Sequence, residues 1–253
     1  MFRAEPDRKL PSKLGKEPLV EAVFEMRFDS SAPVSSILPG ILYGLLPGDK
    51  TLENYPAFGI PKEMRDADPN LAFVPLCKLS WGDYWIIIGD RLFAVAAKIP
   101  YVGWKQFKEA IIQAFDIVLK SDMITSVSRC SIKYIDILDG VPFQPSSCFN
   151  LQLDLGGRGT SENDFHVRLG VREDDITHSL QVASTASITM VNGKILNGPV
   201  LDVDSSIEID SESPEDFLIN VSDRSELLHE SNKRLIFDCL SAEALAYLEP
   251  KYE

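Results

Sequence analysis

Only three histidines, His166, His178 and His229, are available for proton transfer or metal ligation near neutral pH. Each has an ordinary reading beside a chemical one. His166 alternates with Arg168 and Arg172, a spacing that describes a basic, solvated strand face. In chemical terms the same stripe would hold an anion or an acidic partner segment. His178 follows Glu173, Asp174 and Asp175, which have the donor types of a divalent-cation site. Clustered acids before a strand also mark a plain turn. His229 precedes Glu230 in a helical stretch, where consecutive side chains diverge by about 100°, so the two do not face one ligand. A packing or helix-surface role follows.

Among the carboxylates, Glu21 and Glu25 share one side of an alternating segment with Arg27. Four residues along a strand separate the two acids by ~13 Å, beyond the roughly 6.5–9.5 Å span of an inverting glycosidase pair. Glu25 and Arg27, two residues apart, are expected to form a surface ion pair. An acid–base site made from Glu21, Glu25, Arg27 and His229 therefore needs the fold to bring distant groups into one cleft. A second acidic row consists of Asp202, Asp204, Glu208 and Asp210, at even positions, with Glu212, Glu215 and Asp216 continuing it without an intervening Lys or Arg. On a strand these carboxylates would stand at steps of ~6.6 Å or multiples of it. Such a row is a solvated face, a docking surface for a basic or nucleic-acid-binding protein, or a metal site.

The familiar catalytic strings are missing. There is no G-x-x-x-x-G-K-[ST], no G-x-G-x-x-G after a strand, no H-E-x-x-H and no G-x-S-x-G. The glycine-rich Leu155–Thr160 follows an apolar run, but no helical pattern opens after it, so a hairpin loop is favoured over a phosphate cradle. Cys77, Cys130, Cys148 and Cys239 lie far apart, which argues against a zinc site or a disulfide framework and for buried reduced thiols. No cofactor or metal is expected. The net charge of −13 disfavours direct nucleic-acid binding, since neutralising phosphates requires clustered Lys and Arg. With 45% hydrophobic residues in 253 and no apolar run of membrane-spanning length or secretory signal, a soluble, cytoplasmic protein is expected.

These residues must be positioned by the surrounding elements. Pro18–Asp29 alternates strictly, with Val20, Ala22, Phe24, Met26 and Phe28 on one side, which predicts a half-buried strand. Pro33–Pro47 has helical spacing interrupted by Pro39, Gly40 and Gly44, which predicts a short, broken helix. Gly48–Asn70 reads as a long irregular connection of the kind that covers a site or a partner surface. Strands follow at Leu71–Ser80, Tyr84–Ile88 and Leu92–Ile99, with turns at Gly82-Asp83 and Gly89-Asp90. Trp104, Phe107, Ile111, Phe115 and Val118 form one helical stripe, and Val127–Leu138 returns to a strand.

The Pro/Ser-rich Val141–Ser147 is the candidate boundary between an N-terminal α+β lobe, residues 1–140, and a β-meander-plus-helices lobe, residues 141–253; one compact domain is the alternative. The second half reads as strands at Phe149–Leu155, Phe165–Val171, Ser179–Val191 and Leu201–Asp210, with a hairpin turn at Asn192-Gly193. Ser213-Pro214-Glu215-Asp216 then starts a helix running to about Ile236, and a shorter helix follows Ser241. The fold class is α+β, mainly antiparallel, with helices on one face of each sheet.

Several segments together resemble a sporadically distributed family of prokaryotic proteins of about this length. They are PLVEAVFEMRF (Pro18–Phe28), IGDRLFAV (Ile88–Val95), PYVGWKQF (Pro100–Phe107), SIKYIDIL (Ser131–Leu138), LDVDSS (Leu201–Ser206) and the C-terminal LLHESNKRLIF and LEPKY. The resemblance implies a shared fold and assigns no activity, and its patchy distribution is similar to that of accessory or neutralising proteins in mobile and defence-type gene cassettes. Two functions of different class follow. One is a non-enzymatic binding or regulatory protein that meets a basic partner through the acidic row; the other is an enzyme with an acid–base site between the lobes. Homo-oligomerisation is left open.

Overall fold

The computed structural model describes residues 9–160, 163–190 and 193–252. In chain order the elements are β1 (Lys13–Leu14), β2 (Leu19–Ser30), α1 (Val34–Leu45), β3 (Lys50–Asn54), α2 (Lys62–Ala67), β4 (Cys77–Trp81), β5 (Tyr84–Ile88), β6 (Leu92–Ala97) and α3 (Trp104–Leu119). There follow β7 (Ile124–Ile137), β8 (His166–Glu173), β9 (Ile176–Thr189), β10 (Ile195–Glu212), α4 (Pro214–Cys239), α5 (Ala242–Tyr247) and β11 (Pro250–Lys251). β1 and β11 pair with each other. The other nine strands form one antiparallel sheet in the order β3-β4-β5-β6-β2-β7-β10-β9-β8. The α+β, antiparallel expectation therefore holds, and the sheet spans roughly 38 Å at ~4.8 Å per strand.

The nine-stranded sheet contains strands from both halves of the chain. β7 from the first half pairs along much of its length with β10 from the second, from Val200↔Ile137 to Glu208↔Arg129. Residues 139–148 are thus a connection within one sheet.

All the long helices lie on one face. The even residues of β2 (Ala22, Phe24, Met26, Phe28), with Phe93 and Val95 of β6, Ile132 of β7 and Val203 of β10, are buried beneath them. Phe115 of α3 is the hub, with ring centroids 5.3 Å from Phe24, 5.1 Å from Phe93 and 6.4 Å from Phe217 of α4. The stripe expected from Trp104 to Val118 is that buried face of α3. α4 begins as its sequence predicts: the Ser213 hydroxyl accepts from the Asp216 N–H at 3.1 Å, with Pro214 at the first helical position. Midway along it, the fully buried Asn232 amide donates to the carbonyls of Ile132 and Val203 and to the Ser205 hydroxyl, pinning helix to sheet.

Three local expectations are corrected. α1 is continuous through Pro39, because Leu38, Pro39 and Leu42 are buried and Gly40 and Gly44 face open space. Burial of that apolar face outweighs the weak helix propensity of its glycines. Within Gly48–Asn70 the structure has the edge strand β3 and the helix α2; Lys50–Asn54 is mostly exposed and lacks the alternation of a half-buried strand. Phe149–Leu155 is not a strand. Phe149 makes a single bridge to Leu240, and the Asn150 amide donates to the carbonyls of Asp238 and Leu240, so the segment caps the end of α4. In the expected Asn192-Gly193 turn, Asn192 lies outside the described residues.

Candidate functional site

The odd residues of β2 and their neighbours form the sheet face opposite the helices. Antiparallel pairing fixes which side chains share a row. One row reads Arg168 (β8), Gln181 (β9), Asp202 (β10), Ile135 (β7), Glu21 (β2). The next reads Gly170, Ser179, Asp204, Lys133, Val23, then Ala96 of β6 and Trp85 of β5. A third reads Arg172, Thr177, Ser206, Ser131, Glu25, Ala94, Ile87. Long charged side chains surround a floor of small ones.

The basic residues of β7 stand between the acids of β10 and β2. Arg129 reaches Glu25 at 3.2 Å, Asp204 at 3.0 Å and Glu208 at 3.3 Å. Lys133 bridges Glu21 at 3.7 Å and Asp202 at 3.4 Å. Arg27 pairs with Glu25 at 2.8 Å, as the spacing predicts. On β2, β7 and β10 five carboxylates (Glu21, Glu25, Asp202, Asp204, Glu208) face three cations (Arg27, Arg129, Lys133), a net charge of −2. The two signs are not equally presented. The Arg129 side chain is 12% exposed and Arg27 and Lys133 are each 34% exposed, more than the inner carboxylates Glu25, Asp202 and Asp204, while Glu21 at 47% and Glu208 at 74% rise highest.

Satisfaction is incomplete on β10. One carboxylate oxygen each of Asp202 and Asp204 is buried without a hydrogen bond, and burial raises the Asp202 pKa against the opposing pull of Lys133. At the β2–β6 end, Phe73 from the segment before β4, where the sequence predicts a strand, lies over the Arg27 guanidinium at 4.6 Å and covers that end of the face. Trp85 lies between the ammonium groups of Lys78 and Lys98, 4.3 and 4.5 Å from its ring centroid.

The proposed catalytic set is not brought together. Glu21, Glu25 and Arg27 stand on this face, whereas His229 lies on α4 across the sheet. Its ring stacks on Trp104 at 4.0 Å, and its Nδ1 is 2.9 Å from the Tyr134 hydroxyl on the helix-side face of β7. Burial lowers the His229 pKa to about 4, so the ring is neutral at pH 7. Of the acidic row, Asp202 and Asp204 sit in the lattice, Glu208 rises from it, and Asp210 is exposed beyond it.

His166 is exposed on the open face beside Arg168, as expected. Asp174 and Asp175 form the turn between β8 and β9, as the plain reading expects, and the cation reading is corrected, because His178 in the following strand is fully buried. Its Nδ1 is 2.7 Å from the Ser205 hydroxyl, and its Nε2 is 3.4 Å from the Ser231 hydroxyl and 3.8 Å from Glu173. Acid, imidazole and hydroxyl in sequence resemble a nucleophile-activating relay. Ser205 is itself fully buried and accepts from Asn232, so no substrate reaches it; the relay joins α4 to β9 and β10. Among the described residues no cluster of His, Cys, Asp and Glu could hold a metal ion.

Two further features were not anticipated. Asp136 of β7 faces the helices and is 6% exposed; burial, and secondarily Glu17, push its pKa up to about 8. A cleft of about 370 Å³ lies beside Asp29, Lys62, Asp66, Asp90 and Arg91. Its charges are taken up locally, in the pairs Arg91–Asp29, Lys62–Asp66 and Arg65–Asp90. In the glycine-rich loop, the Gly157 N–H donates to the Asp154 carboxylate at 3.0 Å, so the chain's own acid fills that turn.

Among the described residues no helix is long and apolar enough to cross a membrane. Comparison with models of known protein families and with curated proteins finds no match to this chain.

Proposed function

We propose that the protein is a non-enzymatic binding protein that docks a basic partner protein on the open sheet face. One observation carries this reading: a broad sheet keeps all its long helices on one side and leaves on the other a fixed charge lattice whose most exposed members are carboxylates. Glu21 and Glu208 stand at the rim, ready for Lys or Arg of a partner, while Arg129 and Lys133 hold the inner carboxylates in place. Rim charges of this kind steer encounter and select partners. The separation of His229 from Glu21, Glu25 and Arg27 favours binding over acid–base chemistry. The motif resemblance supplies the setting, an accessory or neutralising role in a mobile or defence-type cassette, with a basic protein as the species bound.

The test is capture from native cells with the wild-type chain and with a Glu21→Lys/Glu208→Lys variant. A basic protein retained by the wild type, with at least tenfold weaker and less salt-sensitive binding to the variant, is expected. Equal capture by both chains would refute the assignment of this face.

A further inference from the structure

The strand at one end of the sheet, β8, differs in character from the rest of the open face. We propose that this edge receives an extended segment of another protein, acidic on one side and aliphatic on the other, as a tenth strand. The inference is independent of the basic partner assigned to the centre of the face.

Three observations converge on it. First, β8 is the terminal strand beyond β9, so every second N–H and C=O along its eight residues points away from the sheet. An edge of that length is a template for strand addition. Second, its open-face arginines make no ion pair, and the carboxylate that feels Arg168, that of Asp202, lies a strand away beyond Gln181. Arg168 donates to the Ser179 hydroxyl and Arg172 to the Asp174 carbonyl, and among the described residues neither is ion-paired. Among the described residues Arg27, Arg65, Arg91, Arg129 and Arg224 each meet a carboxylate, whereas Arg168 and Arg172, like Arg158 and Arg234, are in no ion pair. Third, the other side of β8 is aliphatic and only partly covered. Leu169 is 50% exposed beside a cavity of about 80 Å³ lined by Phe149, Leu151, Val167, Leu180 and Val182. That volume is well below the ~300 Å³ at which small-molecule sites begin and suits a single aliphatic side chain.

A strand laid along β8 presents alternate residues to the two faces. Acidic residues would then meet Arg168 and Arg172, and aliphatic ones would cover Leu169 and enter the cavity. A second copy of the chain fits poorly. Antiparallel pairing centred on Gly170 sets Arg168 of one copy against Arg172 of the other, and like charges directly opposite are destabilising.

The probe is a fluorescein-labelled eight-residue peptide in which glutamate alternates with leucine, followed by anisotropy. Saturable binding is expected, with affinity at least tenfold lower for Arg168→Glu/Arg172→Glu and for Leu169→Asp, both exposed positions whose folding is checked by circular dichroism. Methylating alternate peptide amides should abolish binding in one phase and spare it in the other, because only one set faces the strand. A block peptide of four glutamates followed by four leucines should bind at least tenfold more weakly. Absence of saturable binding, equal binding of the block peptide, or indifference to both variants would overturn the proposal. So would a dimer of the chain that Leu169→Asp dissolves, which would make the occupant a second copy.

Discussion

Asp136→Asn is expected to raise stability at pH 8 by about 3–5 kcal/mol relative to the wild type and to change the shape of the pH profile. Asp136 titrates near 8 in the folded protein and near 3.8 when free, so the folded chain holds a proton that the unfolded chain has released. Its contribution is complete below the unfolded value and is lost as pH rises through 8. His229 works in the opposite sense. Its folded value of about 4 lies below the ordinary 6.5, so its contribution is complete above 6.5 and is lost as pH falls toward 4. His178, also lowered by burial, adds to that acid limb. Wild-type stability should therefore rise as pH is lowered from about 8 to 6.5, then level off as the two effects oppose each other. Without Asp136 the alkaline side becomes flat and the loss below about 6.5 is uncovered. Thermal melts at intervals between about pH 5.5 and 8.5 read both shapes. Unchanged profiles would mean that Asp136 is ionised in the folded protein.

Arg129→Met should cost about 2–3 kcal/mol, lowering the melting temperature by roughly 4–12 °C for a chain of this size. The guanidinium serves three carboxylates, and its removal leaves Glu25 and Asp204, whose side chains are 21% and 30% exposed, without their shared cation. Glu208 is largely exposed and loses little, which keeps the figure below that for a fully buried triad. The variant that also carries Asp204→Asn should recover most of the loss, since Glu25 keeps its pair with Arg27 and Asp204 is the charge left stranded. If Arg129→Met melts within a degree of the wild type, the lattice is not a structural unit.

The alternation of β2, the stripe of α3 and the Ser-Pro-Glu-Asp start of α4 are local patterns, and each is present in the fold with small shifts at its ends. The site was legible only in part. Glu25–Arg27 lies within one strand, so its pairing follows from spacing alone. Arg129 and Lys133 alternate with Cys130, Ile132 and Tyr134, which marks a strand with a basic side. That this strand lies between the acidic strands β2 and β10 depends on strand order, which spacing does not specify. For the same reason the acidic row appears in sequence as uninterrupted carboxylates, whereas in the sheet it is interleaved with cations. His178 follows three turn acids yet is fully buried, because the strand it enters has its even residues under the helices. A phase error of one residue inverts such a reading.

The central claim is that a basic partner meets the open face rather than the helices. Zero-length coupling of carboxylates to lysines in the native complex, followed by peptide mapping, tests it most directly. The account predicts cross-links from partner lysines to Glu21 and Glu208. Cross-links confined to Glu215, Asp223 and Glu230 of α4 would contradict it.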